Sequence, residues 1–314
     1  MATKNYTATE LIDDIRRRAS IPNTNALASD QDLVDFLDEE MSTVIVPEMM
    51  SVREEFFVDY VDTATVVGTV LYDLPTRAIG SKLRDVTIVT TNSNGYETET
   101  NMPRLTPEQI SGRHNIVGSY GFYLQGTKIG IFPTPTEVFT LRIKYFRRPG
   151  RLIKEANAAQ VVTLNSSTGL VTLSNALPST VITGSSLDFV GQSNPFSSVG
   201  DDFTVSATGS LSVTVTPAAS LDNVSVGDWV CESTFSPIPQ IPFEAHDVLV
   251  QAAIVKFLES VQDPSVKTAQ AKYDQKKELF LDMLKDRVEG QPKKCIGSSS
   301  ILNYTQRHRF TRLG

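Results

Sequence analysis

Between Lys154 and Lys256 the sequence contains neither lysine nor arginine. Cysteine is almost as scarce: there are two, Cys231 and Cys295, far apart and without a Cys-x-x-Cys partner. That spacing excludes a disulfide scaffold and a zinc knuckle, and leaves free thiols in a reducing compartment. No apolar run reaches the length of a membrane span, and the polar start MATKNYTATEL predicts no signal peptide. Positive charge is short overall. A net charge of −7 excludes a generally basic nucleic-acid binder.

Catalytic patterns are missing too. No serine stands in a Gly-x-Ser-x-Gly elbow. The stretch Gly121-Phe-Tyr-Leu-Gln-Gly126-Thr-Lys128 nearly spells a phosphate loop, but its lysine falls one place late and no helix follows, so it reads as a hairpin turn. His114, His246 and His308 are isolated. His246, beside Glu244 and Asp247, reads as a polar contact at a helix start rather than a metal ligand. Asp188, Asp201, Asp202 and Asp228 resemble a calcium cluster only in composition. No twelve-residue calcium loop surrounds them, and solvated turns are the plainer reading. No cofactor, no metal and no enzymatic activity are expected.

What is present is periodicity. Thr7-Ala-Thr-Glu10 is a capping box, with Tyr6 and Leu11 placed as a staple, and it predicts a helix from Ala8 to Ala19. Arg16, Arg17 and Arg18 sit in its last turn, where cations suit the helix dipole. Ser29 caps a second helix carrying Leu33, Phe36, Leu37, Met41, Val44 and Ile45 on one stripe. Near the other end, PFEAHDVLVQAAIVKFLESVQ and the segment after Asp263-Pro264 form a helical hairpin with one apolar stripe each. The two helix pairs predict one bundle, residues 1–51 with 237–288.

Between the pairs the period drops to two. Residues 52–152 predict antiparallel strands, among them Phe56 to Tyr60, Val67 to Tyr72, Leu83 to Val89, Tyr96 to Thr100 and Thr140 to Phe146. Thr106-Pro-Glu-Gln-Ile reads as a short helical turn. Residues 153–236 hold six short strands at close spacing, which predicts a small β-sandwich or barrel inserted in a loop. Arg147-Arg148-Pro149-Gly-Arg151 ends a strand, either as an exposed strand end or as a contact between subunits. Residues 289–314 carry basic and apolar side chains without periodicity: an extended tail built to dock on a partner. The fold class read from all this is α+β: a helical bundle, an antiparallel β region, an inserted β-domain and a tail.

Several phrases together resemble the head-to-tail adaptor (connector, or neck) proteins of tailed bacteriophages. They are the N-terminal helix pair, VLYDLPTRAIGSKLRDVTIV, GFYLQGTKIGIFPTPTEVFTLRIKYFRRPGRL, and the C-terminal hairpin. The resemblance implies a structural virion protein at the neck, forming a homo-oligomeric ring of about twelve copies between the portal protein and a tail or nozzle protein. Genomic DNA would pass through its lumen without specific binding, and no membrane is involved. It further implies that Ile301, Leu302, Tyr304, Arg307, Arg309, Phe310, Arg312 and Leu313 dock into the portal. Arg147, Arg148 and Arg151 would lie at ring or tail contacts. The alternative is a tail-tip or baseplate component whose inserted domain binds a carbohydrate or receptor, although Phe189, Phe196, Phe203 and Trp229 are spaced more like a core.

Overall fold

The computed structural model describes residues 6–22, 28–111, 120–192 and 198–285. Helix α1 (Ala8–Arg18) opens with the capping box: Glu10 N donates to Thr7 Oγ1, and Thr7 N donates to the Glu10 carboxylate. Its end is not a fully solvated cationic turn. Arg16 folds inward and donates to the carbonyls of Pro22 and Ala28 and, at 2.6 Å, to Asp30. It thereby ties α1 to α2 (Asp30–Glu40), which begins at the Ser29 cap.

A π turn (Met41–Ile45) joins α2 to α3 (Val46–Val52). The buried residues Leu33, Leu37, Met41, Ile45 and Met49 recur every fourth position. On a straight helix of about 3.6 residues per turn that row drifts around the surface by about 40° per step. A wider turn recovers part of the drift and keeps the row facing one core.

A 3-10 turn, Glu54–Phe57, follows, so Phe56 is not in a strand as the alternation predicted. Then come β1 (Val58–Ala64), β2 (Leu71–Asp73), β3 (Ala78–Thr91), β4 (Glu97–Asn101), α4 (Pro107–Ser111), β5 (Gly121–Gln125), β6 (Lys128–Phe132) and β7 (Thr140–Arg147). The looser run from Val67 shrinks to β2 alone. They form two antiparallel sheets, β1-β7-β3-β4 and β2-β6-β5. Their facing sides share a core of Tyr72, Val86, Phe122, Ile129, Ile131 and Ile143.

The near-phosphate-loop stretch is the β5–β6 hairpin, with Gly126 at φ 60° in its turn. Gly130 pairs with Tyr123 across that hairpin, and a Cβ there would run into the Tyr123 ring. Gly130→Ala is therefore expected to cost about 1–3 kcal/mol by overpacking, read as a lowered urea midpoint. Adding Tyr123→Ala should remove the clash, so Gly130→Ala should then have little further effect.

The chain enters the next unit through β8 (Arg151–Leu152) and leaves it through β15 (Phe235–Ser236), which pair in parallel. Between them β9 (Ala159–Asn165), β10 (Leu170–Leu173), β11 (Ser186–Val190), β12 (Ser198–Thr208), β13 (Ser212–Thr216) and β14 (Trp229–Glu232) close into a barrel, order β10-β13-β12-β11-β14-β9. The choice left open by sequence is thus settled by closure, which removes sheet edges. Phe189, Phe203, Val205, Val215 and Val230 fill its interior. Adjacent ends are the geometry an insertion requires.

Helices α5 (Phe243–Ser260) and α6 (Val266–Lys285) complete the described residues. Most of α5 is buried, as expected of a helix surrounded by other layers. Its Leu249, Ala253 and Phe257 share one core with Leu11, Ile15, Leu33 and Leu37 from the other end of the sequence. A buried carboxylate joins the halves: the Tyr273 hydroxyl donates to Glu40 at 2.6 Å, and Lys256 lies 3.5 Å from the same group. The antiparallel sheets, the six-stranded barrel and the helices make the chain α+β.

Candidate assembly surface

A buried polar cluster lies where barrel meets sheet. Arg77, on the turn before β3, is 8% exposed along its side chain and sends a fork to Asp202: Nε to Oδ2 at 3.1 Å, Nη2 to Oδ1 at 2.9 Å. Nη2 also donates to Asp188 at 2.6 Å and to Ser233 at 2.9 Å, and Nη1 lies 3.2 Å from Asp201. Arg147, ending β7, donates to Asp201 at 2.8 Å. Neighbours in a strand ordinarily face opposite ways. The irregular β11–β12 register, with Asp202 at φ 59°, lets Asp201 and Asp202 address one guanidinium.

These contacts correct two expectations. Asp188 and Asp228 are buried, not solvated turns; Asp228 accepts from the backbone N–H of Ser225 and Gln192. Arg147 is likewise no exposed strand end but 6% exposed. The barrel has no cation of its own, so its aspartates take theirs from the flanking sheet. Burial pulls the Arg77 pKa down, but Asp202, Asp201 and Asp188 outweigh it and hold the value above the ordinary arginine range. Burial opposes the charge on Asp202, yet Arg77 and Ser233 keep its pKa below the usual carboxylate range.

His246 is also corrected. It does stand in the first turn of α5, but it is 1% exposed and edge-on to the rings of Tyr6 and Phe243 rather than in a polar setting. Burial lowers its pKa to about 4. Among the described residues no group of His, Cys, Asp or Glu is arranged to hold a metal ion. No described helix is long and apolar enough to cross a membrane.

On the other side of Arg77 a groove of about 720 Å³ opens between α2–α3 and the β7–β8 turn. Met41, Val46, Met50 and Ile79 give it an apolar floor, and Lys82, Arg148 and Arg151 stand at its rim. Gly150 lets the turn approach the β15 backbone: a Cβ there would lie 3.0 Å from the Phe235 carbonyl. Arg151 is drawn toward α2, 3.2 Å from Asp35 and 3.7 Å from Asp38. Arg148 is exposed, and no side-chain partner is found for its guanidinium among the described residues. The structure thus separates the three arginines read together in the sequence: Arg147 goes into the junction, Arg148 and Arg151 to the groove. Ile301 to Leu313, which the sequence predicts to dock on the portal, lie outside the described residues, as do Cys295, His114 and His308.

Among the described residues the groove thus combines an apolar floor with a cationic rim. The sequence profile of the SU10 adaptor protein family matches residues 6–177, more than half of the chain. The chain belongs to the SU10 adaptor family. It is accordingly a phage head-to-tail adaptor, a structural component of the virion. The SU10 adaptor match covers α1 to α3, both sheets and the first barrel hairpin; the rest of the barrel and the hairpin α5–α6 lie beyond it. A comparison with curated proteins finds no match. Arg77 was the residue missed from the sequence of this adaptor. Its signal was indirect, an acidic stretch without cations.

Proposed function

We propose that copies of this adaptor form a ring of about twelve at the neck of the virion, joining the portal to a tail or nozzle protein, and that the ring has no enzymatic role. The reading is supported above all by membership of the SU10 adaptor family. Helices from the two ends of the chain sharing one core suit a wedge that neighbours stack against. We assign 1–51 and 237–288 to that wedge, 52–152 to the β region, 153–236 to the inserted domain and 289–314 to a portal-docking tail. Genomic DNA passes through the lumen without specific contacts. The inserted domain is a weak candidate for sugar binding, because Phe189, Phe203 and Trp229 are buried and offer no stacking face.

The tail assigns the attachment point. Its aromatic and aliphatic anchors, among them Tyr304, Phe310 and Leu313, alternate with Arg307, Arg309 and Arg312, which fits capture by an acidic groove. Many weak insertions become one strong attachment by effective concentration. Deleting Ile301 to Gly314 is expected to leave the thermal melt unchanged and to abolish capture by purified portal in a pull-down. Full capture by the truncated chain would remove the tail's role.

A further inference from the structure

The groove beside α3 has an unused counterpart on the same molecule. In the last two turns of α6, Leu279 and Met283 are 58% and 67% exposed and stand one turn apart. Glu278 and Asp282 flank them. Lys285 is bound to Asp282; Glu278 interacts with Lys285 only at longer range, and neither it nor Arg148 makes a side-chain ion pair or hydrogen bond among the described residues. Two apolar knobs with carboxylates alongside complement a methionine-rich floor with cations along its rim. The pair cannot close within one chain. Helix α6 packs on the far side of α3, where Lys277 meets Glu48 at 2.5 Å and Arg53 donates to the Leu284 carbonyl. Val46, Pro47 and Met50 face the groove from the opposite side.

We infer that the end of α6 of one copy seats in the α2–α3 groove of the next, with Leu279 and Met283 on the apolar floor and Glu278 at Arg148. Two different patches meeting head to tail make a heterologous contact, the kind that closes rings. The basic tail is a poor occupant for the same groove, because the rim would repel it. The inference rests on the ring proposed above and names its contact.

Sedimentation velocity of the full chain over a concentration series tests it, with Arg148→Glu, Glu278→Arg and their combination. Both sites are exposed, so all three variants should melt like wild type. Each single reversal is expected to weaken self-association by about tenfold or more, and the combined reversal to restore it within a factor of about three. Wild-type assembly with no effect of either single reversal overturns this contact and leaves the ring intact. Single effects without restoration overturn the Glu278–Arg148 pairing. A wild-type chain that stays monomeric throughout overturns this contact as one able to join copies by itself, whereas the ring on the portal is read by the portal pull-down.

Discussion

Arg77→Ala is expected to destabilise the protein by about 3–5 kcal/mol, the usual cost of stranding a buried charge. Asp188, 3% exposed, loses its cation, and Asp201, 15% exposed, loses Arg77 while keeping Arg147. Asp202 contributes less, because at 53% exposure water screens the loss. Arg77→Lys keeps the charge but cannot make the fork to Asp202, so it should recover only part of the stability. Adding Asp188→Asn to Arg77→Ala removes one stranded charge and should restore some of it. Urea denaturation measures the change. Limited proteolysis locates it, with cleavage appearing first near Arg151 and Ser236, where the barrel joins the sheet. A midpoint within about 0.5 kcal/mol of wild type would show that the barrel is held by other contacts.

The second large effect is a loss of stability on mild acidification, carried by His246. Unfolded, its imidazole takes up a proton near 6.5; folded, burial keeps it neutral down to about 4. Below pH 6.5 the unfolded chain therefore binds the extra proton, and stability falls with pH until the folded value is reached. At about 1.4 kcal/mol per pH unit the loss is about 2 kcal/mol at pH 5. Burial raises the pKa of Asp38, Asp59 and Asp188, and these work in the opposite sense, since the folded state protonates first. The comparison with His246→Phe isolates the histidine. Urea midpoints at pH 7, 6 and 5 should fall less steeply in the variant by about that amount. Parallel slopes would mean that the ring is protonated in the folded protein.

Local signals survived the test of tertiary structure well. The capping box at Thr7, the Ser29 cap and the six barrel strands appear where the pattern placed them, because caps and alternation depend on neighbours in sequence. Errors arose where partners are distant. Phe56 alternates like a strand residue but sits in a 3-10 turn packed against the helical core. His246 reads as a helix-end polar residue, yet Tyr6 and Phe243 enclose it. Arg147, Arg148 and Arg151 form one basic cluster in sequence, but in space Arg147 is buried in the junction while Arg148 and Arg151 line the groove.

Sequence by itself determined the kinds of parts: helices at both ends, antiparallel strands, an acidic insertion devoid of lysine and arginine, and the family phrases. Each follows from periods of two and 3.6 and from composition, which need no knowledge of what lies opposite. Tertiary structure alone decided that the barrel's aspartates borrow Arg77 and Arg147 from the sheet, and that a cation-rimmed groove opens beside α3. A buried charge is set by whichever partner the fold brings within about 4 Å, and residues more than a hundred positions apart carry no local trace of that meeting.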